Sequence, residues 1–60
     1  MYTTFIRSAT SFETFASAEK VRVNEFETIR EAREACADFN NNRTDAEIDA
    51  GTKMEFTSDF

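Results

Sequence analysis

Thr28-Ile29-Arg30-Glu31-Ala32-Arg33-Glu34-Ala35-Cys36-Ala37-Asp38-Phe39-Asn40-Asn41 decides the fold class of this 60-residue chain. Ile29, Ala32, Cys36 and Phe39 recur at i, i+3, i+7 and i+10, one stripe of a 3.6-residue period. Arg30, Glu31, Arg33, Glu34 and Asp38 fall mostly on the other side. Thr28 and Glu31 have the spacing of a capping box, in which a Thr hydroxyl and a Glu carboxylate satisfy the orphan amides of a first turn. Ala32, Ala35 and Ala37 favour helix, and Ala32 and Ala35 are small enough to let it lie close to a sheet. The Asn40-Asn41-Asn42 run ends it, since Asn tolerates the left-handed backbone of a C-terminal cap. The stretch predicts a helix over residues 28–41.

Downstream, Thr44-x-x-Glu47 repeats the box and predicts a short helical turn over residues 45–50, stopped by Gly51. After Gly51 the period drops to two. Met54, Phe56 and Phe60 share one face and Lys53, Glu55 and Thr57 the other, which reads as a half-buried antiparallel strand. Upstream, Lys20-Val21-Arg22-Val23-Asn24 alternates in the same way, and the Thr- and aromatic-rich segment from Tyr2 to Arg7 reads as a third strand. Residues 9–18 fit two descriptions. Phe12, Phe15 and Ala16 have helical spacing behind a Thr10-x-x-Glu13 cap, while the Phe and Thr content suits a strand. The reading favours an extended segment in a hairpin with Val21 and Val23. The sum is a single α+β domain over residues 1–60: a small antiparallel sheet of three or four strands with one main helix packed on a face.

A chain this short buries only roughly 60% of the surface its unfolded form exposes. Small domains often add disulfides or a metal, but Cys36 is alone and there is no His. One thiolate cannot supply the four soft ligands of a structural zinc site. Seven Phe and one Tyr are expected to supply the core instead. The unpaired Cys and the start of the chain, which lacks a basic n-region and a long apolar stretch, point to a reducing, cytoplasmic setting. No run approaches the roughly 20 apolar residues of a membrane span. Asn42-Arg43-Thr44 matches a glycosylation sequon and is read as coincidence in that setting.

Catalysis finds no purchase. Cys36 sits mid-helix on the apolar stripe, without the His, cation or helix start that activates a thiolate, and reads as a buried structural thiol. Asp45-x-Glu47-x-Asp49-x-Gly51 looks like a calcium loop, but Gly51 is seventh where the EF-hand wants its sixth residue, and Phe56 stands where the bidentate Glu belongs. Paired carboxylates would need a sugar-sized cleft that one small core can hardly enclose. No Gly-rich phosphate loop or nucleophile elbow is present. The aromatic residues follow strand and helix periods, so they read as core rather than as a stacking platform for single strands. The chain is read as a non-enzyme without cofactor or metal.

The charge carries the functional lean. Twelve acidic residues against seven basic ones give −5, the wrong sign for holding phosphates and the right one for basic protein surfaces. Glu27, Glu31, Glu34 and Asp38 cluster along the main helix, and Asp45, Glu47, Asp49 and Glu55 follow it. These eight are the candidate partner-binding residues. Arg30, Arg33 and Arg43 interrupt the field, which favours a mixed protein–protein interface over a phosphate-spacing mimic. A solvated face that keeps a tiny protein soluble explains the same acids.

The section Phe26-Glu27-Thr28-Ile29-Arg30-Glu31-Ala32-Arg33-Glu34-Ala35, in a short acidic chain without His or Pro, resembles the capped helix of small inhibitor proteins encoded by bacteriophages and other mobile elements, anti-CRISPR proteins among them. The resemblance is one of style, and no motif carries a functional residue across. It implies a non-enzymatic inhibitor that docks on a larger nucleoprotein or nuclease of the host, without itself binding nucleic acid or membrane. The alternative is a small self-associating structural or regulatory subunit, a homodimer pairing through the strand edge next to Phe56 and Phe60.

Overall fold

The computed structural model describes residues 1–60, the side chain of Phe12 excepted. Its elements are β1 (Tyr2–Ser8), α1 (Phe12–Phe15), β2 (Val21–Phe26), α2 (Ile29–Asn41), α3 (Asp45–Asp49) and β3 (Thr52–Thr57). The strands form one antiparallel sheet in the order β2-β1-β3. The α+β architecture is therefore as expected, with three strands.

Both helix starts use the Thr–Glu pairs, in different ways. At α3 the box is complete: Thr44 N–H donates to Glu47 Oε1 at 2.9 Å, and Glu47 N–H to Thr44 Oγ1 at 3.2 Å. At α2 the Glu31 N–H donates to Thr28 Oγ1 at 3.2 Å, but the Glu31 carboxylate accepts from the Thr28 hydroxyl at 2.9 Å. The end of α2 departs from expectation. No Asn takes the left-handed conformation; Asn42, at φ −112°, donates its backbone N–H to the Asp38 and Phe39 carbonyls. The left-handed position is Gly51, at φ +68°.

Pairing fixes the two faces of the sheet. Tyr2, Thr4 and Ile6 share a face with Phe56 and Met54, which oppose the latter two. Helix α2 packs over β3 and β1, and less over β2. Ala32, Cys36 and Met54 form the buried apolar core, with Thr4 fully buried among them and its hydroxyl donating to the Asn24 carbonyl at 3.2 Å. Phe5 points to the opposite face and is also buried. The Phe60 ring, 5.5 Å away, and the Lys20 ammonium, 5.3 Å from the ring centre, cover it.

Three expectations are corrected here. Residues 9–18 do not extend beside Val21 and Val23; β2 pairs with β1, and Ser11 rather than Thr10 caps the α1 turn by accepting the Thr14 N–H at 3.4 Å. Ser and Thr hydroxyls satisfy this segment locally, the competition that draws such residues away from strands. The expected part played by the Phe12 side chain lies outside the described residues. Phe60 does not join Met54 and Phe56: the strand stops at Thr57, whose hydroxyl accepts the Asp59 N–H at 3.2 Å, and the chain turns to the Phe5 face. Val21 and Val23 are not half of a buried face. Both stay 50% exposed, because α2 lies towards β3 and a bulge at Val23 shifts the register from Thr4↔Asn24 to Phe5↔Arg22.

The β3 edge is closed by side chains. Asn40 Nδ2 donates to the Met54 carbonyl at 3.1 Å while its Oδ1 accepts the Met54 N–H at 3.0 Å. The amide of one helix residue thus imitates a neighbouring strand. Arg43 Nη1 adds a bond to the Thr52 carbonyl at 3.1 Å. Open backbone groups on an edge recruit other chains, and these bonds occupy the Thr52–Met54 part of the β3 edge within the molecule.

Candidate functional site

Helix geometry brings together part of the acidic set. At 100° per residue, Glu31, Glu34 and Asp38 fall within about 60° of arc on one flank of α2, away from buried Ala32 and Cys36. All three are exposed, and Glu27 is exposed just before the Thr28 cap. Arg30 and Arg33 lie on the other flank of the same helix. Among the described residues one ion pair links the flanks, Arg30 Nε to Glu34 Oε1 at 3.5 Å; it is surface-exposed and contributes little to stability. Arg30 offsets part of the charge at Glu34, whereas Glu31 and Asp38 have no ion-pair partner among the described residues.

The remaining candidates divide. Asp45 and Asp49 are exposed at either end of α3. Glu47 is half-buried and committed to the capping box. Glu55 stands apart from the set, on the sheet face opposite α2, where its carboxylate accepts from Arg7 Nε at 2.7 Å and Nη2 at 3.2 Å. It is a structural partner of Arg7. The acidic cluster that helix geometry assembles is Glu31, Glu34 and Asp38, with exposed Glu27 preceding the helix and Asp45 and Asp49 following it.

Reasoning from sequence missed Asn40, Arg43 and Arg7. Asn40 was absorbed into a helix-ending Asn run, and nothing in its spacing announces a contact with β3, fourteen positions on. Arg7 sits in a strand of alternating character, but its guanidinium stacks on the Phe15 ring at 4.1 Å and donates to the Phe15 carbonyl at 3.3 Å. Those partners come from the segment whose structure was misread.

Among the described residues no three His, Cys, Asp or Glu side chains converge on a metal position, and no helix is long and apolar enough to cross a membrane. A groove of about 350 Å³ is lined by Ala9, Thr10, Ser11, Phe15 and Lys53 and carries no carboxylate. Cys36 is buried, and that burial first, with the Glu55 carboxylate second, pushes its thiol pKa up. A raised native pKa favours the neutral thiol, so its stabilisation is complete below the unfolded thiol pKa and is lost as pH rises through the native one. At pH 8 a thiol reagent is expected to label native Cys36 far more slowly than the urea-unfolded chain. Equal rates would contradict its placement in the core.

No known protein family, curated protein or solved structure matches the chain.

Proposed function

We propose that this chain is a non-enzymatic binding protein whose acidic α2 flank docks on a basic, nucleic-acid-handling surface of a larger protein, as a stoichiometric inhibitor of the anti-CRISPR kind. The observation that carries the reading is the convergence of Glu31, Glu34 and Asp38 on one exposed flank, with Glu27 preceding the helix, Arg30 beside Glu34 at the edge of the flank and Arg33 turned away from it. A concentrated negative stripe on a rigid, well-capped helix steers association with a positive groove and fixes its orientation. Asp45 and Asp49 extend the field. Rigidity matters because an interface built on a regular element loses little conformational entropy on docking.

The test is a capture experiment with two baits, the native chain and the triple reversal Glu31→Lys, Glu34→Lys, Asp38→Lys, in a nuclease-treated bacterial lysate. The native bait is expected to retain a nucleic-acid-handling complex that the reversed bait does not. Capture that disappears with nuclease treatment, or that is equal for both baits, would contradict the reading. The lysate of a bacterium bearing CRISPR systems is the informative source.

A further inference from the structure

The exposed large apolar side chains gather around β2. Val21 and Val23 belong to it and Ile29 opens the helix that follows. Met1 precedes the Tyr2↔Phe26 end of the pair, and Phe60 lies 5.2 Å from the Arg22 guanidinium. Among the described residues only Ile48 falls elsewhere. A domain with so few buried apolar residues gains most by covering such a strip.

The backbone along the same strand is open. Met54 turns its N–H and C=O outward to Asn40, so its partner Ile6 bonds towards β2, and Phe5 and Thr3 bond towards β3. Arg22 and Glu25, which oppose Phe5 and Thr3, therefore turn their own backbone groups away from the sheet. They are three positions apart, a spacing that puts a regular strand's groups on opposite edges. The bulge at Val23 brings them to the same edge. Of these outward groups only the Glu25 N–H has a partner among the described residues, the Asn24 side-chain oxygen at 2.9 Å. The fold closes its β3 edge at Thr52 and Met54 and leaves its β2 edge available.

We propose that a second copy of this chain pairs with β2, antiparallel about a two-fold axis between Val23 and Asn24, giving a continuous six-stranded sheet. Symmetry and charge select the register. It sets Arg22 opposite the copy's Glu25 twice, as hydrogen-bonded pairs of opposite charge, and Val21 opposite the copy's Phe26 twice on the α2 side. A slip of one residue sets Arg22 against Asn24 or Phe26, whose backbone groups already bond β1. Within one copy Arg22 Nη1 and Glu25 Oε1 meet at 3.5 Å in an exposed contact, so both charges exchange partners at little cost. The Asn24 amide swings off the Glu25 N–H as the copy's Arg22 carbonyl replaces it. Repulsion between two chains of −5 is screened beyond about 8 Å at physiological salt.

Light scattering on a sizing column, from micromolar to millimolar chain, tests the pairing. The native chain is expected to reach the mass of a dimer. Arg22→Glu and Glu25→Arg each place like charges opposite one another twice and are expected to weaken the dimer about tenfold or more, while the double swap restores it. Circular dichroism checks that every variant keeps its fold. A native chain that stays monomeric to millimolar concentration overturns the proposal, as does a dimer indifferent to both single swaps. A folded double swap that remains monomeric overturns the register. Reversal of Glu31, Glu34 and Asp38 leaves the dimer mass unchanged, so this result stands or falls apart from the docking face on α2.

Discussion

Gly51→Ala is expected to cost about 3 kcal/mol or more, most of the stability of a domain this small. Two terms add. The backbone at φ +68° costs a residue with a side chain about 1–2 kcal/mol. The added Cβ would also lie 1.8 Å from the Ala9 carbonyl oxygen and 2.7 Å from its carbon. Those are main-chain atoms directly after β1, and the Ala9 N–H donates back to the Gly51 carbonyl at 3.4 Å, so neither segment can swing aside. Overpacking of this kind adds about 1–3 kcal/mol. A thermal melt followed by circular dichroism should show the transition lowered by roughly 15 °C or lost altogether. A variant melting within a few degrees of the native chain would contradict the close approach of Gly51 to Ala9.

The second large effect concerns the open sheet face. Arg7→Met is expected to cost about 2 kcal/mol, because it removes two bonds to Glu55, one to the Phe15 carbonyl and the stack on the Phe15 ring. The Arg7 side chain is 15% exposed and that of Glu55 30%. Removing one partner of a buried pair costs about 3–5 kcal/mol, and the water still reaching Glu55 reduces that figure. The double variant Arg7→Met, Glu55→Met is expected to recover much of the loss, since no carboxylate is then left without its partner. Urea titrations of the native chain, Arg7→Met, Glu55→Met and the double variant close the cycle. A loss below about 0.5 kcal/mol for Arg7→Met would place this pair with ordinary surface ion pairs.

Sequence made the helices legible because their signals are local. The stripe from Ile29 to Phe39 and the Thr–Glu spacings report on contacts within one or two turns, and α2 and α3 form where they say. Alternation likewise located β1, β2 and β3. What it could not supply was the partner of each strand or the side of the sheet that α2 covers. Val21 and Val23 alternate as a buried strand should, yet they are exposed because the helix lies over the other edge. Residues 9–18 were misread because a Phe and Thr count speaks for strands, while the deciding contacts, Ser11 to Thr14 and Arg7 to Phe15, are a cap and a tertiary stack. The acidic face was legible in part. Spacing alone aligns Glu31, Glu34 and Asp38, and strand alternation sets Glu55 on the face opposite Met54, whereas the commitment of Glu55 to Arg7, 48 positions away, has no local signal.

If charge on one flank of α2 does the binding, titrating the captured partner with native and triply reversed chain will separate the two. Both chains should give the same circular dichroism spectrum, since the three side chains are exposed. At low salt the native chain is expected to bind at least tenfold more tightly, and the difference should shrink as ionic strength rises towards about 1 M, where screening acts within about 3 Å. Equal affinity of the two folded chains at low salt would contradict the claim.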